Sequence, residues 1–386
     1  MIENAIFLSE HLIMDGHTGE KLEGLKNQIN NLILIDYKKY YFNFGKKKFE
    51  EKIEEIIFKN DIQLIVLNLG DARVIDPEFI IKISNKLRIK ICIIFPDSEH
   101  MFEEADRYYA QCADVCWIFN PFMRANFENY GYDVYDRFGL SIKFRKKMEI
   151  EKKYLISFIG AADRGDRKNY IKFLSSKFNN FYIAGYGTSN GKLSNEERDI
   201  KIQSSLIQLN FSKVQNPNLN IYSRVSQFKS RIYESFLLDT FILTEYYAGI
   251  EQQLGDKWES VCFRDELELV DKINYFSENL EELEYLTRHF KKIVLENYET
   301  NIVAKNLLHK IEKTKFKNKI FIWDKNFKSR FLSQRFYFLS MFMINLKFKN
   351  ALNELNYIRK NIKYIKFNFI YYELPRGIYH AVKQIN

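Results

Sequence analysis

Cysteine is scarce in this sequence, and its few copies form no metal-binding pattern. The four cysteines, no two of which make a C-x-x-C pair, are Cys92, Cys112, Cys116 and Cys262. Zinc sites and redox motifs depend on such pairs, and small secreted scaffolds depend on many more cysteines. We therefore predict neither zinc nor disulfide chemistry, and the isolated thiols favour the reducing cytoplasm.

The chain also lacks apolar segments that insert into membranes. Although 46% of its residues are hydrophobic, no run approaches the roughly 20 apolar residues of a membrane-spanning helix. The N-terminal sequence MIENAIFLSEH contains acidic residues and lacks the basic and apolar stretches of a signal peptide. We expect a cytoplasmic protein.

Motifs that identify several enzyme classes are absent. There is no G-x-G-x-x-G loop, no Walker phosphate loop and no H-E-x-x-H zinc motif. His11, His17 and His100 do not have the spacing of metal ligands. We therefore predict no metal site.

Positive charge, by contrast, is abundant but confined to one end of the chain. Residues 313–386 contain 16 lysines and arginines against three acidic residues, whereas the rest of the chain is net acidic. Many phenylalanines and tyrosines are interleaved with these bases. The segment suits an anionic lipid surface, a nucleic acid that stacks on the rings, or a small helical unit whose core the rings fill.

Two segments alternate between apolar runs and amphipathic stretches, the pattern of a parallel, doubly wound α/β sheet. In the first segment the predicted strands are Ala5–Leu8, Leu32–Ile35, Leu64–Leu67, Ile89–Phe95 and Val115–Phe119. After a charged linker, Lys143–Lys153, the predicted strands are Leu155–Ile159, Phe181–Ala184, Leu206–Leu209, Phe241–Leu243 and Ser260–Phe263.

This alternation predicts two Rossmann-like domains and an extension. The expected boundaries are 1–150 for the N-terminal domain, 151–312 for the C-terminal domain, and 313–386 for a basic, aromatic, helical extension. Two doubly wound domains that face each other bring the carboxyl ends of both sheets to one cleft, where ligands bind.

The segment Lys229–Glu251 carries the most informative pair of side chains. Arg231 and Glu234 are three residues apart at the start of a helical pattern, so they share one face. A cation and a carboxylate at a helix start suit a ligand with both phosphates and sugar hydroxyls. The alternative is a surface ion pair without a ligand.

Two loops that follow predicted strands in the second domain could approach phosphates. The first contains Gly160, Arg164 and Arg167, and the second begins at Gly185. Small residues at a strand end let backbone N–H groups approach a pyrophosphate, and arginines add charge. The alternative for both loops is an ordinary turn.

In the first domain, two strand ends carry ionisable side chains. His17 lies between Gly16 and Gly19 after the first strand, and Asp97 and His100 follow the fourth strand. Catalytic groups are often found at such strand ends, so these three are our candidates on the acceptor side. The alternative is that they cap helices or lie on the surface.

The second half of the chain resembles the CgeB-type (spore-protein-like) branch of the group 1 glycosyltransferases, which adopt the GT-B fold. The shared elements are an F-x-G strand end with a later arginine, an L-N strand end, R-x-x-E, an L-T strand end, a G-x-E turn and an F-x-D-x-x-E-L segment. Their residues here are Phe158, Gly160, Arg167, Leu209, Asn210, Arg231, Glu234, Leu243, Thr244, Gly249, Glu251 and 263–267. The agreement spans about Tyr154–Ile311, and the first half resembles the family in architecture alone.

The resemblance implies that the second domain holds a nucleotide-sugar donor, either a UDP- or a GDP-sugar. Glu234 would accept hydrogen bonds from the ribose, and Arg231 with Arg167 would neutralise the diphosphate, so that neither metal nor cofactor is required. The other residues assigned to the donor are Gly160, Arg164, Gly185, Asn210, Lys229, Gly249 and Glu251.

The sequence departs from the family at two places. Related enzymes often carry an acid eight residues before the ribose-binding one, where this chain has Ser226, and the usual A-x-x-G is replaced by residues 237–240. The donor sugar therefore stays open, and retention of configuration is an expectation taken from the family.

We therefore predict a bacterial, cytoplasmic, retaining, metal-independent glycosyltransferase. Its acceptor would be a glycan or a lipid-linked glycan in capsule or lipopolysaccharide synthesis, and its tail could rest on the inner face of the membrane. One alternative is an inactive GT-B-like binding or assembly protein that uses its basic tail. A second is a nucleic-acid-binding protein.

Overall fold

The computed structural model describes residues 2–10, 12, 16–69, 74–145, 147–163, 165–213 and 225–385. Its strands are β1 Asn4–Ser9, β2 Asn31–Asp36, β3 Leu64–Asn68, β4 Lys90–Phe95, β5 Val115–Ile118, β6 Val134–Tyr135, β7 Tyr154–Ile159, β8 Phe181–Ala184, β9 Ser205–Asn210, β10 Phe241–Glu245 and β11 Cys262–Phe263.

The helices are α1 Gly16–Lys26, α2 Tyr37–Lys59, α3 Pro77–Leu87, α4 Ser98–Met101, α5 Arg107–Tyr109, α6 Arg124–Glu128, α7 Gly165–Lys177, α8 Asn195–Gln203, α9 Arg231–Leu237, α10 Ile250–Leu254, α11 Trp258–Val261, α12 Glu266–Glu278, α13 Leu280–Asn297, α14 Thr300–Lys313, α15 Lys325–Ile344, α16 Phe348–Asn361 and α17 Phe367–Ile385. A π-helical turn, Phe102–Asp106, joins α4 to α5. No helix in the described part of the chain is long and apolar enough to cross a bilayer.

The strands form two parallel sheets, one in each half of the chain. The strand order is β2-β1-β3-β4-β5-β6 in the first sheet and β11-β10-β9-β7-β8 in the second. The central strand β4 is buried from Ile91 to Phe95, as expected for a strand covered by helices on both faces, whereas the edge strand β2 is partly exposed. The predicted pair of doubly wound sheets is confirmed. The short strand β6 was not predicted, and β11 begins two residues later than expected because α11 occupies 258–261.

The chain returns to the first domain before residue 313. Helix α14 packs against α1, and the Thr300 hydroxyl donates a hydrogen bond to the backbone oxygen of Glu20 at 2.6 Å. A Cβ atom at Gly24 would lie 2.4 Å from the Thr300 backbone oxygen, so the close approach of the two helices requires a glycine there. The domain boundary at 312 stays a prediction, and this helix belongs by its contacts to both domains.

The aromatic residues of the extension complete the core of the first domain. Phe327, Tyr337, Phe338 and Phe342 are buried in the same apolar cluster as Tyr41. Of the three roles expected for the segment, the one nearest to the structure is the helical unit, but that expectation was wrong in one respect. The rings fill a core shared with the first domain and do not form a separate one.

A buried charge lies at the centre of this contact. Arg335 is fully buried, and its guanidinium donates a hydrogen bond to the Tyr41 hydroxyl at 2.7 Å. The Tyr41 hydroxyl in turn donates to the buried carboxylate of Glu354. Burial raises the pKa of Glu354, and the nearby Arg335 opposes this rise.

Replacing Glu354 should therefore destabilise the protein far more than its neighbour on the same helix. Glu354→Ala leaves the buried guanidinium without its carboxylate, a change that costs about 3–5 kcal/mol in other proteins. We expect a loss of about 3 kcal/mol in the free energy of unfolding, measured by urea unfolding. The control, Asn353→Ala at an exposed position of α16, should lose less than about 0.5 kcal/mol. Equal losses in the two variants would contradict a central role for Arg335.

Candidate active site

A cavity of about 400 Å³ lies between the two domains, at the carboxyl ends of their strands. The first domain lines it with Lys21 from α1 and with Asp97 and Glu99, which follow β4. The second domain contributes mainly the residues just before and within α9, together with Arg198 from α8. This is the cleft that two facing doubly wound domains create.

Arg231, the first residue of α9, forms part of the cavity wall. Its guanidinium lies over the Phe158 ring, 5.7 Å from the centroid, and donates to the Asn210 side-chain oxygen at 3.5 Å. Burial lowers the pKa of Arg231, and Glu234 opposes the shift. The guanidinium stays charged, since arginine does not lose its proton in proteins. It is therefore a fixed cation with little water around it.

Two lysines add positive charge to the same cavity. Burial lowers the pKa of Lys21 to about 8, against the attraction of Glu20 and Asp97. Burial likewise lowers the pKa of Lys229 to about 8, although Asp97 and Glu99 raise it. Lysines in this state are poorly hydrated, so an anion that entered the cavity would stabilise their charged form.

Glu99 places a weakly acidic carboxyl group on the first-domain side of the cavity. One of its oxygens accepts a hydrogen bond from the Asn120 amide at 2.8 Å, and the other is buried without a hydrogen-bond partner among the described residues. Burial raises the pKa of Glu99 to about 7, and the hydrogen bonds to its carboxylate oppose the rise. A carboxyl group with this pKa can give or take a proton at neutral pH.

A chain of hydrogen bonds crosses the cleft from one domain to the other. The Lys229 ammonium donates to the side-chain oxygen of Gln227. The Gln227 amide then donates to the Asp97 carboxylate at 3.0 Å. Asp97, a candidate from the sequence, is thus brought next to the Arg231 segment of the second domain.

Glu234 lines the same cavity and is held by cations. One of its oxygens lies 3.2 Å from Arg145 and accepts a hydrogen bond from the Ser230 hydroxyl at 2.9 Å, and the other lies 3.7 Å from Arg198. The same Arg145 nitrogen lies 2.7 Å from the carboxylate of Glu20. The predicted partners Arg231 and Glu234 thus line one cavity, but the ion pairs of Glu234 are with other arginines.

The two predicted phosphate loops lie at the carboxyl ends of β7 and β8. The N–H of Gly160 donates to the Ala184 oxygen at 2.8 Å, and the N–H of Gly185 donates to the Gly191 oxygen at 2.6 Å. These N–H groups are therefore engaged by backbone oxygens. The Arg167 guanidinium donates to the Ala161 oxygen at 2.8 Å and lies over the Phe158 ring, as Arg231 does. Arg164 lies outside the described residues.

Other residues predicted from the sequence lie away from the cavity wall. Gly249 faces the first domain, where a Cβ atom would lie 3.2 Å from the Phe122 backbone nitrogen. Glu251 is exposed in the first turn of α10. His100 lies on α4 beside Glu99 but does not line the cavity. His17 belongs to α1, and its side chain lies outside the described part of the structure.

Several residues of the cavity were not found from the sequence. Lys21, Gln227 and Arg198 line the cavity, and Arg145 lies behind it against Glu234. None of the four belongs to a local motif, because only the fold brings them together. Glu99 could have been found, since it lies in the same strand-end segment as Asp97 and His100.

The arrangement suits an anionic ligand that also presents hydroxyl groups. Lys21, Lys229 and Arg231 supply positive charge from both domains, and Glu234 and Asp97 supply hydrogen-bond acceptors. Within the described residues, no group of three or more histidine, cysteine, aspartate or glutamate side chains could hold a metal ion. The negative charge of a ligand in this cavity would therefore be balanced mainly by lysine and arginine side chains.

Part of the second domain is similar to a known protein family. Residues 167–309 match the family model described as glycosyl transferase-like. This match includes α9 and the loop before it. No curated protein matches the sequence.

Solved structures resemble the chain over most of its length. HepE of Anabaena, in complex with UDP and glucose, has a TM-score of 0.55 at 10% identity and covers 80% of this chain and 99% of its own. Sucrose-phosphate synthase of Thermosynechococcus elongatus has a TM-score of 0.52 at 10% identity, with coverage of 81% and 99%. A DNA-modifying β-glucosyltransferase has a TM-score of 0.51 at 11% identity, with coverage of 80% and 99%.

These likenesses show the fold. The chain has the GT-B fold, with two Rossmann-like domains and a helical C-terminal region. The predicted fold class is therefore confirmed.

The raised pKa of Glu99 should be visible in the stability of the protein. Burial raises the pKa of Glu99 from its ordinary value of 4.5 to about 7 in the folded protein. Between these pH values the folded state binds more protons than the unfolded state, so the folded state loses stability as the pH rises. The Glu99→Gln variant has no carboxyl group to ionise at this position, so it does not lose stability in this way as the pH rises. Relative to the wild type, its free energy of unfolding should rise by at most about 3 kcal/mol from pH 4.5 to pH 8.

The measurement is urea unfolding at several pH values. Glu259→Gln, at an exposed position of α11, is the matched control and should differ from the wild type by the same amount at every pH. A flat difference for Glu99→Gln as well would show that Glu99 ionises normally.

Proposed function

We propose that this protein is a glycosyltransferase that moves a sugar from a nucleoside diphosphate sugar to a glycan or lipid-linked acceptor. The observation that carries the proposal is the convergence of Lys21, Lys229 and Arg231 on one cleft between the two domains of the GT-B fold. The glycosyl transferase-like match over 167–309 supports it. HepE, whose fold is similar, was crystallised with UDP-glucose. For this chain we propose a UDP- or GDP-sugar.

The cations would act on the diphosphate of the donor. When the glycosidic bond to the donor phosphate breaks, negative charge builds up on the departing nucleoside diphosphate. Fixed positive groups aimed at that charge stabilise the transition state, and they do so more strongly where water is excluded. We assign this role to Arg231 and Lys229, with Arg167 in support, and propose that no metal ion is needed.

Glu234 would bind the ribose of the donor. Its carboxylate lines the cavity in which the cations converge, and each of its oxygens has more than one lone pair. Arg145 and Arg198 hold this carboxylate in a fixed orientation. It would accept hydrogen bonds from two ribose hydroxyls.

The acceptor would enter from the first-domain side. Asp97, together with His17 and His100 from the sequence, stays a candidate there, and Glu99 joins them because one of its buried oxygens has no hydrogen-bond partner within the part of the chain that the structure describes. We propose that Asp97 and Glu99, which line the cavity, hold the acceptor hydroxyl near the donor sugar. Retention of configuration is proposed from the family resemblance, and NMR of the product anomer would test it.

In the cell we propose a role in capsule or lipopolysaccharide synthesis, with the enzyme in the cytoplasm at the inner face of the membrane. The proposed relationship is to the CgeB-type branch, whose strand-end series the second domain shares. These points rest on the resemblance and on the basic extension.

A donor screen tests the proposal. We expect UDP or GDP, and one of their sugar derivatives, to raise the melting temperature and to be hydrolysed slowly or transferred to a saccharide acceptor. Arg231→Ala should lose both effects, whereas Arg288→Ala, an exposed arginine of α13, should keep them. Binding without turnover for every donor and acceptor tested would favour the inactive binding protein, and no response to any nucleotide would refute donor binding.

The lowered pKa of Lys229 predicts how donor binding depends on pH. A bound diphosphate raises the pKa of the lysine from about 8, so binding takes up protons and the affinity falls as the pH rises above 8. Lys21 has the same lowered pKa and should contribute. Lys229→Arg, which keeps its charge at every pH, should bind the donor with a weaker pH dependence, and Lys229→Met should bind it about tenfold or more weakly at pH 7.

Isothermal titration of the nucleotide sugar between pH 7 and pH 9.5 measures this dependence. The same pH profile in the wild type and in Lys229→Arg would show that Lys229 does not contact the diphosphate.

A further inference from the structure

Helix α17 presents its large side chains to solvent and its small ones to the protein. Tyr371, Tyr372 and Tyr379 are 85%, 68% and 62% exposed. On the opposite side, Gly377 packs so closely against α15 that a Cβ atom would lie 2.0 Å from the Ser340 hydroxyl, and Ala381 is fully buried. The close contact fixes the orientation of the helix, so the outward position of the rings is a property of the fold.

Helix α16 and the corner before it expose a second apolar stripe. Phe348, Leu352 and Leu355 follow the i, i+4, i+7 spacing of one helix face, and Leu346 precedes them. All four are about half or more exposed. Scattered exposed apolar residues are ordinary, but two helices that pack against the same helix, α15, and both expose apolar faces indicate an interaction surface.

The exposed charges on these two helices and their connection are positive. The exposed bases are Lys349, Arg359, Lys360, Lys363 and Lys366. The acidic residues after position 344 are Glu354 and Glu373, and both are buried. A surface of tyrosines, aliphatic side chains and unopposed bases has the composition of helices that lie in the headgroup region of anionic membranes.

We propose that α16 and α17 form a docking surface for an anionic lipid bilayer. A second copy of the chain would bring the same positive charge against this surface, which opposes self-association. A nucleic acid would use the rings and the bases, but it offers nothing to Leu346, Leu352, Leu355, Ile378 and Val382, which have no π-face on which a base could stack. Lipid chains accept aliphatic and aromatic side chains alike.

Docking would bring the first domain to the membrane, since both helices are carried by α15 on the core of that domain. The benefit of docking rests on the proposed function: a lipid-linked acceptor could then reach the acceptor side of the cleft directly from the bilayer. The docking itself depends only on the extension.

Flotation of the full-length protein with vesicles tests the proposal. We expect binding to vesicles of phosphatidylcholine with phosphatidylglycerol, little binding to phosphatidylcholine alone, and weaker binding in 0.5 M salt than in 0.1 M salt. Tyr371→Ser/Tyr372→Ser should reduce binding at least tenfold, and Lys349→Gln/Lys360→Gln/Lys363→Gln should do the same. Phe58→Ser/Tyr285→Ser removes exposed rings elsewhere and should bind as the wild type does.

The outcomes separate docking from catalysis. An unchanged melting temperature and unchanged nucleotide binding in the two extension variants show that the fold and the cleft are intact. Equal vesicle binding by the wild type and both extension variants would overturn the proposal. So would tight binding of oligonucleotides in place of vesicles, or a solution dimer that Tyr371→Ser/Tyr372→Ser abolishes. Vesicle binding without any nucleotide binding would refute the proposed function and leave the docking surface standing.

Discussion

Arg145 links the two domains at the point where the candidate active site is built. It lies between the carboxylates of Glu20 and Glu234, one from each domain, and all three side chains are almost fully buried. Charges removed from water are destabilising unless their geometry is nearly ideal. The position of each domain relative to the other is therefore constrained by this contact, and so is the orientation of Glu234 in the cleft.

The helical extension stabilises the first domain in a comparable way. Its composition, rich in bases and rings, is compatible with several roles, and the sequence alone cannot choose between them. The choice depends on contacts such as that between Tyr41 and Glu354, which are more than 300 residues apart in the chain. Among the described residues of the extension, five rings are buried, four are exposed and the others are half-buried. On α17, the packing of Gly377 and Ala381 against α15 determines which face of the helix is buried and therefore which rings are exposed.

The sequence predicted the fold well because both sheets are built from local apolar runs that the chain alternates with helices. It predicted Arg231 and Glu234 for the same reason, since their spacing on one helix is local. It could not find Lys21, Arg145 or Gln227, because each is an ordinary polar residue until the topology places it at the cleft. Arg231 and Glu234 illustrate the limit: their spacing predicted a shared face and both line one cavity, whereas the cations that hold Glu234 come from the linker and from α8.

The shifted pKa values in the cleft have a common cause, and that cause connects the cleft to its proposed chemistry. Burial lowers the pKa of Lys21 and Lys229 and raises that of Glu99, because each group has lost water in its charged form. An anionic diphosphate would favour the protonated form of all three. Donor binding would then be accompanied by proton uptake at these three groups, and Glu99 would be neutral opposite the protonated lysines. The same loss of water strengthens the attraction between a diphosphate and the cations, so the burial that destabilises the charged groups of the cleft is also what would stabilise the departing nucleotide.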